Sequence, residues 1–364
     1  MARQDTYNQT VGIIVDMDDM VDILPVDDVP FQQWVPNGPP ADSTKVEWLS
    51  EELTGQVVTV ASTSATASTT VVVETGDGAL LRPGDVLAFD AGVQVVVDSV
   101  ATDTVTLSIR PFADTTDEQL VAGDELTIIG QYRDEGGDPE EPRFTDRGSD
   151  YNYTQADQEA VRASRATQQT KRYGIGNPFT HEQMKKFREI AIRHERRLLL
   201  GRRKQGTGGD AKKRSMGGAL FYATENAVSG TKATLATKTN ELLRNCWNAG
   251  GAPKDLWVSA DAKELYDALN ADRLLTSPSD QTYQNVITRF KSSFGDVAIR
   301  FSRYIPKQKV VAVDQPFAKH RTMQGYAFEP LAKTGDADNG QIICEKSFEL
   351  KNPKAHGVLT ITDL

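Results

Sequence analysis

Three stretches of the sequence hold residue types that could do chemistry. The first, "HEQMK" (181–185), opens as a zinc-protease helix does, but Lys185 stands where the second histidine of the metal pair belongs. His194 and His320 have no partner at metal-ligand spacing, while His181 near a helix start and His356 after "NPKA" read as structural. The second, "GRRKQGTGG" (201–209), has the glycines of a phosphate-cradling loop. It lacks the Gly-Lys-Ser/Thr that grips the phosphate, because Gly206 is followed by Thr207 and Gly208, so it reads as a hinge. No Gly-x-Ser-x-Gly elbow and no motif pairing Cys with His is present, and nothing singles out an acid–base pair among the many carboxylates. The expectation is a non-enzyme, with no catalytic, cofactor-binding or metal-binding residues.

The third stretch, "HEQMKKFREIAIRHERRLLLGRRKQ" (181–205), carries nine Lys or Arg against three Glu in a chain of net charge −10. Its cations are spread around a rod rather than clustered with aromatics, which argues against sequence-specific reading of nucleic acid. Loose electrostatic contact with packaged nucleic acid, or pairing with acidic arms of neighbouring subunits, fits better. Arg193, Arg196, Arg197, Arg202, Arg203 and Lys204 are the interface or DNA-facing candidates.

A helix must position these cations. Asn177-Pro178 and Thr180 supply its start, with Thr180 as the cap and Gln183 three residues on, as in a capping box. Met184, Phe187, Ala191 and Leu198 fall on one apolar stripe with Ile190 beside it, and bases fill the other faces. At 1.5 Å per residue the stretch spans roughly 38 Å, and "GTGGDAKKRSMGG" (206–218) ends it.

The remainder after the helix reads as mixed α/β. Helices are expected over 236–251, 259–273 and 279–295, and strands at "KDLWVS", "DVAIRFS", "QKVVAVD", "TMQGYAFEPLA", "GQIICEKSFEL" and "GVLTITD". Before it, residues 151–174 read as one long strand or two. Residues 56–131 have another composition, rich in Val, Thr, Ala and Gly. They hold six strand candidates: "QVVTVAS", "STTVVVET", "DVLAFD", "VQVVVDSV", "DTVTLSIR" and "DELTIIGQ". Within them "LLRPGDVLAF" (80–89) is echoed by "LVAGDELTII" (120–129), a tight turn followed by an outgoing strand. A small all-β, barrel-like or sandwich module is expected there. It would sit at the tip of an out-and-back loop formed by 31–54 and 132–177, since insertions survive at exposed loop tips.

At 364 residues, 38% hydrophobic and mean hydropathy −0.45, the chain can bury one or two cores and suits a soluble protein. No apolar run approaches the ~20 residues of a membrane span, and "MARQDTYNQTVG" lacks the form of a signal peptide. Cys246 and Cys344 read as free thiols of a reducing compartment, so synthesis in a cytoplasm is expected. Charge is divided unevenly: residues 1–150 hold 7 Lys/Arg and 29 Asp/Glu (−22), and 151–364 hold 34 and 22 (+12). Such asymmetry suits a chain that meets copies of itself, or an anionic partner, with opposite faces. The first thirty residues read as an acidic, proline-punctuated arm with no returning partner strand. Ile13, Ile14, Val15 and Ile23 are its candidate apolar contacts on a neighbour.

The stretch "LAKTGDADNGQIICEKSFELKNPKAHGVLT" (331–360) resembles the C-terminal signature of tailed-phage major head proteins of the SU-ten type. In the same order as in that family come "TKVEWLSEEL", "LRPGDVLAF", "VAGDELTIIG", "YNYTQ", "EIAIRHERRLLLG" and "DLWVSADAKELYDAL", so the resemblance covers essentially the whole chain. One departure is "IRPF" (109–112), where the family has Arg-Gly before a Gly-Thr turn.

The resemblance implies an α+β chain with the Hong Kong 97 capsid fold. It would divide into an N-terminal arm (1–30), an E-loop (31–54 and 132–177) with the β-domain inserted (55–131), and a P-domain spine-helix region (178–217). An A domain (218–325) and C-terminal P-domain strands (326–364) would follow. It further implies a major capsid protein forming hexamers and pentamers of an icosahedral head around double-stranded DNA. Its partners would be many copies of itself, a portal, separate scaffolding or protease proteins and a decoration protein. It would be assembled in the host cytoplasm and carried in the virion, with no membrane partner. The competing readings are an encapsulin-like compartment shell, which shares the fold, and a soluble α/β hydrolase with an accessory β-module.

Overall fold

The computed structural model describes residues 29–51, 55–65, 68–89, 94–108, 119–136, 147–170, 176–269, 288–333 and 335–364. In chain order the helices are α1 (Pro30–Trp34), α2 (Arg165–Gln169), α3 (Pro178–Leu200), α4 (Ala219–Tyr222), α5 (Leu235–Asn248) and α6 (Ala260–Ala268). The strands are β1 (Lys45–Ser50), β2 (Val57–Thr59), β3 (Thr70–Val72), β4 (Asp85–Ala88), β5 (Gln94–Ala101), β6 (Thr104–Ser108) and β7 (Glu125–Gln131). After them come β8 (Gly148–Tyr153), β9 (Gln155–Ser164), β10 (Lys204–Gln205), β11 (Arg214–Ser215), β12 (Asn226–Gly230) and β13 (Asp255–Val258). The last are β14 (Arg289–Ser292), β15 (Gly295–Phe301), β16 (Lys309–Val313), β17 (Ala318–Leu331), β18 (Ala337–Leu350) and β19 (Gly357–Ile361). Two units divide the chain, Met1–Trp48 with Ser149–Leu364, and Leu49–Gly148.

In the larger unit, "DLWV", "VVAV" and "GVL" are apolar or small at almost every position, the pattern of strands covered on both faces. They lie inside a six-stranded mixed sheet of order β12-β19-β16-β13-β15-β14. Leu256, Val258, Val310, Ala312 and Leu359 pack under Leu242, Leu243 and Tyr266 of α5 and α6. The alternate residues, Trp257, Val311, Val313 and Val358, face a second core with Phe31, Trp34, Leu198, Tyr222 and Phe348. A second sheet, β17-β18-β9, is antiparallel throughout. Its Val161, Ile342 and Cys344 receive Ile190 of α3, with Phe179 and Phe187 beside them.

The smaller unit is one antiparallel sheet of order β2-β7-β4-β5-β6-β3 with its own Val/Leu core. All six strand candidates of 56–131 are present. The repeated turn has a physical meaning: Asp85 Oδ2 accepts from Arg82 N at 2.7 Å, and Asp124 Oδ2 accepts from Val121 N at 2.6 Å. Gly84 and Gly123 take φ of 86° and 96°, the left-handed region that glycine enters without strain. The two echoed strands, β4 and β7, are neighbours in the sheet.

Several expectations need correction. Residues 31–41 are more than a solvated loop: after α1 ends at Trp34 the chain runs irregularly, yet Phe31, Trp34, Val35 and Ala41 are all core residues. Strand β19 pairs with β12 and β16 in the six-stranded sheet, while β17 and β18 belong to the three-stranded sheet with β9. Of the helix expected over 279–295, residues 279–287 lie outside the described residues, and Arg289–Ser292 is a strand paired to β15. Strand β12 and helices α2 and α4 were too short to read from periodicity. Among the described residues no helix is long and apolar enough to cross a membrane.

Candidate functional site

The cationic rod is α3, 23 residues and so about 35 Å long. Asn177, not Thr180, caps it: the Asn177 side chain accepts from Phe179 N at 3.0 Å and Thr180 N at 3.4 Å, and Pro178 fills the first helical position. The buried stripe is also shifted. Ile190, His194, Glu195, Leu198 and Leu199 are covered, whereas Met184 is 62% exposed. A stripe that contains a histidine and a glutamate reads as polar in sequence, which is why Met184 looked like its better member.

Much of the helix's charge is met inside its own subunit. Strand β9 presents Asp157 and Glu159 two residues apart, hence on one face. Arg193 pairs with Glu159 and reaches Asp157 at 3.8 Å, Arg197 pairs with Asp157, and Lys186 meets Glu189 at 2.6 Å and Glu159 at 3.8 Å. Hydrogen bonding to Arg193 holds the Glu159 carboxyl below its usual range. Past the helix, Arg203 pairs with Asp150, donates to Tyr151 O at 2.6 Å and lies over the Tyr151 ring at 4.1 Å.

The six cation candidates therefore separate into two sets. Arg193, Arg197 and Arg203 are tied to acids of the same chain. Arg202 and Lys204 are exposed and make no ion pair with any described residue, and Arg196 is exposed above the Tyr304 ring at 5.0 Å. Ile13, Ile14, Val15 and Ile23 lie outside the described residues.

At the C-terminal end of α3 a cleft of about 670 Å³ opens, lined by Leu200, Arg202, Phe221, Pro306, Lys309 and Val358 among others. Most of its lining residues are apolar or small, and Arg202 and Lys309 are the two cations among them. Sequence reading did not find it, because its walls come from α3, α4, β16 and β19, far apart in the chain.

A second polar constellation was missed. Glu195 reaches out of the buried face of α3 to accept Phe31 N at 3.0 Å and Gln32 N at 2.6 Å. Next to it in sequence, His194 faces His320 with ring centroids 5.7 Å apart and planes tilted by 37°. Burial depresses both rings, His320 to about 4 and His194 well below the ordinary histidine value, and it also lowers Lys346. The only sequence signal was a His-Glu pair at helical positions whose neighbours, Ile190 and Leu198, are apolar. No group of three or more metal-type ligands gathers among the described residues.

A long helix crossing a three-stranded sheet, a six-stranded mixed sheet carrying two helices, and long hairpin strands joining them make up the Hong Kong 97 capsid architecture. The chain is similar in fold to the capsid of a native GTA particle (TM-score 0.53, 8% identity, 99% of each chain covered). It is likewise similar to the structure of Microbacterium phage Oxtober96 (TM-score 0.52, 10% identity, 97% of this chain and 96% of that one). The capsid of Myoviridae phage XM1 gives a TM-score of 0.51 at 11% identity, over 96% of this chain and 99% of that one. A search of curated proteins found no match. Residues 2–363 match the SU10 major capsid protein family, and the chain belongs to it. It is a major capsid protein, a structural subunit of multi-copy virion shells. The family match favours this reading over the compartment-shell and hydrolase alternatives.

Proposed function

We propose that this subunit builds hexamers and pentamers of an icosahedral tailed-phage head around double-stranded DNA. The match to a major capsid family over residues 2–363 carries the reading. In this reading residues 1–30 form the N-terminal arm. Residues 31–54 and 132–177 form the E-loop, with 55–131 as its inserted β-domain. Residues 178–217 form the spine-helix region, 218–325 the A domain, and 326–364 strands that return through both sheets. A portal, separate scaffolding or protease proteins and a decoration protein are the partners expected of such a shell, and the DNA would be touched without sequence preference.

The charge balance of −22 over residues 1–150 and +12 over the rest supports head-to-body contacts between copies. Such complementarity steers assembly and sets register more than it adds affinity. The cleft beside Arg202 and Lys309 suits the acidic, apolar segment around Ile13–Ile23 of a second copy, whose aspartates would meet the two cations. Exposed pairs are worth only ~0.2–1 kcal/mol each, so strength must come from repetition and from buried apolar side chains.

The test is negative-stain electron microscopy of the purified protein, with sizing at two salt concentrations. Closed shells, or five- and six-fold rings that dissociate in salt, are expected. A compact monomer at every salt overturns the assembly reading. Reversing the cleft cations (Arg202→Glu with Lys309→Glu) is expected to lower the assembled fraction at fixed concentration. Unchanged assembly removes the cleft contact and leaves the shell reading intact.

A further inference from the structure

His320 holds the residues that lead out of α1. Its Nε2 faces the Gln32 carbonyl at 3.0 Å, and since a carbonyl can only accept, Nε2 carries the proton and donates. Its backbone N donates to Pro36 O at 2.9 Å, and its carbonyl accepts from Gly38 N at 2.8 Å. Residues 32–38 are thus clasped to β17 through one histidine, and Glu195 grips the amides of Phe31 and Gln32 where the segment begins.

The neutral tautomer leaves Nδ1 of His320 as a bare lone pair, and that atom finds no hydrogen-bond partner among the described residues. The same holds for Nε2 of His194, for Nη1 of Arg197 and for the Gln32 side-chain oxygen. Gln32 bridges the cluster by donating from Nε2 to the Tyr326 hydroxyl at 3.3 Å. The titratable and charged groups around the two rings are Arg197 and Glu195 from α3, Lys346 and Cys344 from β18, Tyr326 from β17, and Asp157 from β9, which is already paired with Arg197. The α1 segment contributes no titratable group, only the Gln32 amide. Both rings are nearly fully buried, 2% and 4% exposed.

We propose that the His194–His320 pair is an acid-released clasp on residues 30–38. A proton added to either ring lands in a buried site beside a guanidinium, an ammonium and the other imidazole. The carboxylates of Glu195 and Asp157 are already engaged by the α1 amides and by Arg197, and the charged ring is relieved when the segment lifts and water enters. A buried charge without a partner is expelled or exposed rather than tolerated.

The direction follows from linkage. The released state binds protons near the ordinary value of 6.5, whereas the docked His320 binds them only near 4. Below 6.5 the released state therefore holds more protons, so docking weakens as pH falls from 6.5 toward 4 and is unaffected above that window. One such ring raises the released population about 25-fold between pH 7 and pH 5, and two rings multiply their effects.

Hydrogen–deuterium exchange on the full chain tests this, with rates corrected for the intrinsic pH dependence of exchange. Protection of amides 31–38 should fall about 25-fold or more from pH 7 to pH 5, while amides of β16 stay protected. The double variant His194→Gln/His320→Gln should show a flat profile. If it does not fold, His194→Gln alone keeps the backbone clasp and should show a shallower pH dependence than the wild type. A wild-type profile that is flat to pH 4.5 overturns the proposal. So does a fall that persists unchanged in the variants, which would assign the effect to carboxylates such as Glu195.

Discussion

Glu195 accepts the backbone N–H of Phe31 at 3.0 Å. Helix α1 begins at Pro30, and its N-cap residue, Val29, offers no capping side chain. A carboxylate on α3, 164 positions away in sequence, supplies the cap that the local sequence lacks. The contact places Phe31 against Trp34 and Trp257, with centroids at 5.5 and 5.0 Å, and so anchors the chain just after its acidic N-terminal segment.

Replacing Glu195 with Gln removes the charge from two amide hydrogen bonds and turns one donor toward another. Hydrogen bonds to charged groups contribute about 1.5–3 kcal/mol, so a loss of about 2–3 kcal/mol is expected in denaturant unfolding. A change under about 0.5 kcal/mol, the range of ordinary surface substitutions, would show that α1 docks by its aromatics alone.

Arg197 and Asp157 form a largely buried ion pair, their side chains 14% and 6% exposed. Asp157→Ala should cost about 3–5 kcal/mol, because it leaves a guanidinium in the interior with little to balance it. Arg197→Met combined with Asp157→Ala should recover much of that loss. A double-mutant cycle with additive effects would show that the pair is not coupled.

Gly218 lies against the last turn of α3. A Cβ there would stand 2.4 Å from the Arg197 carbonyl oxygen and 2.7 Å from that of Leu198. Backbone cannot yield as a side chain can, so Gly218→Ala is expected to cost about 2–3 kcal/mol. The unfolding midpoint of the purified variant checks this. Gly209→Ala, where nothing stands within 4 Å, is the neutral control.

Burial raises the thiols of Cys246 and Cys344 to about 12 and about 11. Thiolate, not thiol, attacks disulfide reagents, so both cysteines should be silent toward an aromatic disulfide at pH 8 in the native protein. Both should titrate in denaturant. Rapid native reaction at either site would mean that its core opens readily.

Much of the architecture was legible because its signals are local. Alternating Val and Thr announced the six strands of 56–131, and the Leu-x-x-Gly-Asp echo announced two turns that the structure builds with the same carboxylate-to-amide bond. The length and cationic character of α3 were legible too. Its partners were not: the side chains that neutralise Arg193, Arg197 and Arg203 sit 34 to 53 residues away, and no spacing rule connects them.

The sequence by itself determined which segments are helix, strand or turn wherever periodicity ran long enough, and its ordered family motifs determined the kind of protein. Tertiary structure alone decided the roles of Met184, Glu195, His320 and residues 31–41. Met184 is apolar yet exposed, while Glu195 and His320 are polar yet buried. The reason is that a side chain's burial depends on which distant backbone groups reach it. Glu195 can be interior only because two unsatisfied amides of α1 come to it. His320 can be interior only because the Gln32 carbonyl does.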